Sequence, residues 1–215
     1  MASDALFHFA RIAGPGREWQ SVKQGLERDT LPALSRAGGT CWGIWQGLFG
    51  LRSNELIMVT CWPPGAFASS VLRAAWSAVD ASSALRAALA ADVAVVDSAD
   101  FVATLRPADA TPRTRPGLYV FRFFDVRARD VDEIVALSGA AWTTFESSAS
   151  YASEPQALFR LRDATADAGR MLLLTWYDGF QSWQASRAPH PDALANFQRR
   201  AALTGGTVAY ATRLA

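Results

Sequence analysis

The feature that most constrains the fold of this chain is an internal repeat of strand-like and helix-like segments. Each half contains four short runs rich in β-branched and aromatic residues, the pattern typical of strands. A helix-like segment follows the first and the third run of each set, which predicts the ferredoxin-like order β-α-β-β-α-β twice. The predicted strands are residues 6–12, 42–48, 56–62 and 101–105, then 118–124, 157–161, 171–177 and 207–214; the predicted helices are 17–36, 67–89, 131–147 and 180–203.

The spacing of the two sets indicates a duplication. The offset from Leu6 to Leu118 is 112 positions, and the offset from Trp62 to Trp176 is 114. Other landmarks follow in the same order at nearly the same distance, as repeated units do. Prolines mark the join, where a chain leaves one unit before it starts the next. We therefore predict repeats at residues 1–106 and 117–215, with a linker at 107–116.

The strands also predict how the repeats bury their surfaces. A sheet with helices on one face and water on the other shows alternating polar residues. The runs 56–62, 118–121 and 171–177 are instead apolar on both faces. One face can pack on the repeat's own helices, and the sheet of the other repeat is the available cover for the second. The expected fold is α+β, with the two sheets packed face to face within one chain.

Composition excludes several classes of function. The net charge of +1 and the pI near 7.8 give no overall field for nucleic acid or an anionic membrane. No apolar run reaches the roughly 18–20 residues of a membrane span. The two cysteines, Cys41 and Cys61, show no disulfide framework and no metal-ligand spacing. We expect a cytoplasmic protein without metal or cofactor, either a monomer or a homodimer.

At the level of element order, the whole chain resembles the dimeric α/β-barrel superfamily, and its tandem form resembles the NIPSNAP-like members. The similarity of residues is greatest at 173–178, 197–203 and 209–214. The family's strand-end tryptophan and tyrosine are usually spaced apart. Here Trp176 and Tyr177 are adjacent and point to opposite faces, so the resemblance assigns no role to the tyrosine. The superfamily includes haem-binding chlorite dismutases, cofactor-free monooxygenases, isomerases and proteins of unsettled activity.

Two histidines limit the acid–base and haem chemistry that the chain could perform. His8 lies in the first predicted strand, where it could serve as a general base or iron ligand, or simply bond a neighbour. Val120 occupies the corresponding position in the second repeat, so any role of His8 belongs to one half. His190 is flanked by two prolines, which indicates an exposed turn between helical segments. It is the only candidate axial ligand on the helices of the second repeat.

Charged residues on apolar strands are stronger candidates for a site. Arg122 and Arg160 stand where the first repeat has Ala10 and Gln46. A charge on such a strand is costly to bury without a partner. Either the arginines open into a cavity with a polar or anionic ligand, or they pair with carboxylates. Asp125, Glu146 and Asp178 are the nearest candidates for that pairing.

The eight tryptophans either line an apolar pocket or fill the core. Together with the charged positions they define the candidate ligand-binding residues His8, Gln46, Arg122, Arg160 and Trp176. We expect a protein that binds a small apolar or weakly anionic molecule between a sheet and its helices. An enzyme of the monooxygenase or isomerase type is the alternative, and a haem-linked protein is a third possibility.

Overall fold

The computed structural model describes residues 3–14, 16–64, 94–188 and 190–215. Contacts divide the chain into two compact units. The first-half unit comprises residues 4–101, 110–114 and 214–215; the second-half unit comprises residues 1–3, 102–109 and 115–213. In the described part of the chain, no helix is both long and apolar enough to cross a membrane.

The first-half unit begins with strand β1 (Leu6–Ala13). A helical stretch follows as α1 (Trp19–Gly25), a π-helical turn (Leu26–Thr30) and α2 (Leu31–Arg36). Strands β2 (Thr40–Phe49), β3 (Glu55–Trp62) and β4 (Ala94–Ala103) complete it in the order β4-β1-β3-β2. The fourth strand begins seven residues before its predicted start, and the helix predicted at 67–89 lies outside the described residues.

The second-half unit repeats this plan. It contains β5 (Leu118–Val126), α3 (Val131–Glu146), β6 (Ser153–Leu161) and β7 (Gly169–Tyr177). Two helices, α4 (Phe180–Ala185) and α5 (Pro191–Leu203), then precede β8 (Thr204–Leu214). The strand order β8-β5-β7-β6 matches that of the first-half unit. The prediction of two ferredoxin-like α+β units is confirmed.

Strand register shows how closely the units correspond. The second strand of each contains a shift in pairing, between Cys41 and Gly43 in one and between Pro155 and Ala157 in the other. Leu6 pairs with Trp62, and Leu118 pairs with Tyr177. Trp62 therefore corresponds to Tyr177 rather than to Trp176, so the match of the two tryptophans was wrong by one position. The shared tryptophan suggested a match that the pairing register does not support.

Helix α3 forms because its apolar residues recur at three- and four-residue steps, which gives one buried face. Ile134, Trp142 and Phe145 are buried along it, and Asp132 and Glu133 favour its N-terminal turn. Its inner face packs on the sheet in a cluster of apolar side chains. The cluster comprises Phe124, Val126, Ile134, Trp142, Leu158, Met171 and Leu173.

Candidate functional site

The second-half unit contains a cavity of about 320 Å³ between its sheet and its helices. Strands β5, β6 and β7 supply one wall, and helices α3 and α5, with the residues just after α4, supply the other. The lining residues are Val120, Arg122, Trp142, Phe145, Pro155, Leu173, Thr175, Tyr177, Ser186, Arg187, Leu194, Phe197, Gln198, Arg200 and Ala201. An apolar cavity with a few converging polar groups is the usual form of a small-molecule site.

Strand alternation explains why these residues reach the same space. Arg122 pairs with Leu173, and Val120 pairs with Thr175, so the four side chains share one face of neighbouring strands. Tyr177 follows Thr175 two positions later on the same face. The sheet wall of the cavity is therefore a direct result of the pairing of β5 with β7.

Three arginines approach the cavity from different parts of the unit: Arg122 from β5, Arg187 from the turn after α4 and Arg200 from α5. Burial lowers the pKa of Arg122, with a smaller contribution from the charge of Arg187. Burial and the nearby charge of Arg122 lower the pKa of Arg200 to about 10. Both guanidinium groups are still charged at neutral pH, and no carboxylate is among the lining residues.

Tyr177 lines the same cavity as these arginines. Burial raises the pKa of its phenol, although a hydrogen bond with Ser186 and the charges of Arg122 and Arg187 act in the opposite direction. The hydroxyl is therefore protonated at neutral pH and can donate a hydrogen bond to an acceptor in the cavity. Sequence reasoning assigned no role to this residue. The sequence signal that could have identified Tyr177 is strand alternation along β7. Because side chains two positions apart share a face, Tyr177 lies on the same face as Leu173.

Aromatic rings form the apolar part of the wall. The ring centroid of Phe145 lies 6.5 Å from that of Tyr177 and 6.0 Å from that of Phe197, both in edge-to-face geometry. Trp142 contributes a further ring from α3. Leu194 is 43% exposed and lies at the rim. The cavity thus combines a cationic region with an aromatic one.

Of the five residues predicted from sequence, the cavity contains Arg122 alone. Arg160 is exposed on β6, and Gln46 is buried on β2 of the other unit. Trp176 lies on the opposite face of β7 from Tyr177, where its Nε1 donates to the carbonyl of Pro116 and the guanidinium of Arg115 stacks on its ring. The predicted carboxylate partner Glu146 pairs with Arg106 instead.

His8 is 6% exposed, and its Nδ1 lies 2.6 Å from Oδ1 of Asp100 within the first-half unit. This is the neighbour-bonded arrangement that the sequence left open for a strand histidine. Asp100 comes from β4, which is adjacent to β1. The pair is a buried contact, and neither residue lines the cavity.

Neither histidine of the chain lines the cavity. His190 is exposed before α5, where its Nδ1 accepts the backbone N–H of Asp192 at 3.3 Å and caps the helix. Within the described residues no group of three or more histidine, cysteine, aspartate or glutamate side chains is placed to hold a metal ion. The described cavity residues therefore do not supply the histidine that a haem site of the expected type needs.

Neither a protein-family model nor a curated protein matches the sequence. Solved structures match it over its whole length. A variant of the chlorite dismutase of Candidatus Nitrospira defluvii is 9% identical with a TM-score of 0.61, covering 100% of this chain and 92% of that one. An anthrone oxidase-like protein is 13% identical with a TM-score of 0.60, covering 99% and 92%.

A ferredoxin-fold protein of Listeria monocytogenes, related to antibiotic biosynthesis monooxygenases, is 10% identical with a TM-score of 0.50. The alignment covers 97% of this chain and 95% of that one. This chain shares the fold of the dimeric α/β-barrel proteins. The fold expected from element order is confirmed, and membership of the superfamily, like the narrower NIPSNAP-like assignment, stays a prediction.

Proposed function

We propose that the protein binds a small molecule with an apolar body and an anionic group in the cavity of the second-half unit. The observation that carries this proposal is the pair of half-buried guanidinium groups, Arg122 and Arg200, on an otherwise largely apolar wall. An unpaired charge in such surroundings is costly, and an anionic ligand removes that cost. The aromatic rings beside it suit the remainder of the ligand.

Binding of benzoate to the purified protein, followed by titration calorimetry, tests this proposal. We expect measurable binding, with a loss of about tenfold or more in Arg122→Gln because a charge-assisted hydrogen bond is removed. Arg199→Gln is the matched control, since Arg199 lies on α5 but is exposed and pairs with Glu133. Equal affinities of the wild type and Arg122→Gln would contradict the proposal.

An enzyme of the monooxygenase or isomerase type is the second candidate. Its support is Tyr177, a protonated phenol that lines the cavity together with Arg122 and Arg187. Such a group can stabilise an oxyanion that develops on a bound substrate. The anthrone oxidase-like and monooxygenase-related proteins with this fold make an anthrone the first probe to try.

Oxygen consumption with an anthrone as substrate tests this second candidate. The enzyme hypothesis predicts turnover above the uncatalysed rate and a fall of roughly 10²-fold or more in Tyr177→Phe if the hydroxyl stabilises the oxyanion. Tyr177→Phe keeps the ring and its contacts, so a folding defect is not expected to imitate this loss. Turnover that is unchanged in Tyr177→Phe would remove the tyrosine from the chemistry.

A further inference from the structure

The positive charge of the cavity exceeds what a singly charged ligand would balance. Arg122 and Arg200 are both half-buried, and they approach the same space from the sheet and from α5. The charge of Arg122 is one cause of the lowered pKa of Arg200, which indicates that the two groups are close. Two like charges in a low-dielectric space repel each other unless anions lie between them.

Arginines elsewhere in the same unit show the contrast. Within the described residues, at least six of them lie within ion-pair distance of a carboxylate, whereas Arg122 and Arg200 have none. The polar contact of Arg200 is instead a hydrogen bond to Oγ of Ser138 at 3.3 Å, and its guanidinium stacks on Phe197. The paired set is Arg106 with Glu146, Arg115 with Glu154, Arg127 and Arg129 with Asp130, Arg162 with Asp163, and Arg199 with Glu133.

Resting on the proposed function, we infer that the ligand carries two negative charges at one end, as a phosphate monoester or a dicarboxylate does, next to an apolar body. One charge would balance Arg122 and leave Arg200 unpaired, whereas a dianion balances both. Arg187 is exposed and keeps its own hydration, so it does not require a third charge. The Tyr177 hydroxyl supplies a neutral donor to the same headgroup.

The aromatic wall limits what lies beyond the headgroup. Trp142, Phe145 and Phe197 face a space of about 320 Å³, at the lower end of the usual range for small-molecule pockets. A single aromatic ring or a short branched chain suits that space. The inferred class is therefore a small apolar dianion rather than a long-chain lipid.

Matched pairs of ligands test whether the site prefers a doubly charged anion to a singly charged one. Phenyl phosphate is a dianion at a pH of about 7.5, because the second pKa of a phosphate monoester is about 6. Benzenesulfonate has a similar shape and one charge. Isophthalate and benzoate form the corresponding pair for carboxylates, so the two pairs separate a phosphate source from a dicarboxylate source. Titration calorimetry of all four anions gives the affinities.

We expect one of the dianions to bind at least about tenfold more tightly than its singly charged partner, since each charge-assisted pair adds affinity. Arg200→Gln should reduce that ratio to about one, and Arg199→Gln should retain it. Circular dichroism and a thermal melt establish that both variants are folded.

The remaining outcomes separate the two proposals. If each dianion and its singly charged partner bind with equal affinity, and binding still depends on Arg122, the inference of a dianionic ligand is wrong. The proposed function is then retained. If the Arg200→Gln variant still binds the dianion at least about tenfold more tightly than its singly charged partner, the inference is also wrong. No binding of any of the four anions would overturn both.

Discussion

In the first-half unit, Trp62 stands opposite Leu6, whereas in the second-half unit Tyr177 stands opposite Leu118. The Trp62 ring is 1% exposed and reaches the backbone of Gly39, where an added Cβ would lie 2.7 Å from it. Tyr177 instead borders a cavity. At the same position of the repeat, the first-half unit has a tightly packed indole, whereas the second-half unit has a phenol at a cavity wall.

The neighbouring positions differ in the same way. His8 corresponds to Val120, and Ala10 corresponds to Arg122, while Thr60 and Thr175 are alike at the third strand of each unit. His8 in the first-half unit has an internal carboxylate partner, Asp100, within the same unit. The charges of the second-half cavity have no internal carboxylate partner among the described residues. At these corresponding positions, the buried histidine of the first-half unit has a carboxylate partner and the arginine of the second-half unit has none in the part of the chain that the structure describes.

Trp62→Ala gives the largest effect expected from this comparison. Removing a fully buried indole leaves a void, so we expect a loss of about 3–5 kcal/mol in the free energy of unfolding. Urea denaturation measures it. Tyr177→Ala, at the corresponding position, should lose less because its ring already borders a cavity. Equal losses in the two variants would show that the second-half position is packed as tightly as the first.

His8→Val places the second-half residue in the first-half unit. It removes the 2.6 Å contact with the buried carboxylate of Asp100. We expect the unfolding free energy to fall by about 1–3 kcal/mol, the cost of depriving a buried polar group of a partner. Asp100→Asn, which can still form a hydrogen bond, should lose less. A neutral His8→Val would mean that the pair contributes nothing to stability.

Arg122→Leu is expected to change stability in the opposite direction. It removes a half-buried charge without a carboxylate partner, so the protein free of ligand should gain about 1 kcal/mol in chemical denaturation. Arg106→Leu is the control, because Arg106 pairs with Glu146 and its loss should destabilise the unit. A destabilised Arg122→Leu would indicate that the charge is compensated within the protein.

The phenol of Tyr177 predicts a pH dependence above neutrality. Its pKa in the folded protein is raised above the ordinary value of about 10. Its contribution to stability is therefore complete below that value and is lost as the pH rises through the folded pKa. Unfolding measured against pH should show this loss in the wild type and not in Tyr177→Phe.

Titration of Arg200 changes the stability in the same pH range, but in the opposite direction. Its pKa is lowered to about 10, so its unfavourable burial is relieved as the pH rises above that value. Comparing Tyr177→Phe with its parent in an Arg200→Gln background isolates the tyrosine. Identical pH profiles in that background would contradict the assignment of the raised pKa to burial of Tyr177.

Arg160→Gln is expected to have the smallest effect. It gives the second-half unit the residue that the first-half unit has at Gln46, but Arg160 is exposed and does not line the cavity. We expect a change within about 0.5 kcal/mol in stability and no change in ligand affinity. A tenfold loss of affinity would place Arg160 in the site, as the sequence pattern suggested.

Sequence reasoning located Arg122 because a charge on an apolar strand requires an explanation. It did not select Arg200 or Arg187, because an arginine on an amphipathic helix looks the same whether it faces solvent or a cavity. It also ranked Arg160 with Arg122, since both lie on strand faces with apolar neighbours. Arg160 stands near the end of β6 and is exposed there, which alternation alone does not indicate.

The sequence by itself determined the duplicated β-α-β-β-α-β order, because periodicity and turn residues are local properties that repeat at a nearly constant offset. Only the tertiary structure decided which residues meet in the cavity. Tyr177 and Arg122 lie 55 positions apart in the chain, and Arg200 is 78 positions from Arg122. Their proximity follows from strand register and from how α5 packs, and both depend on contacts between distant segments.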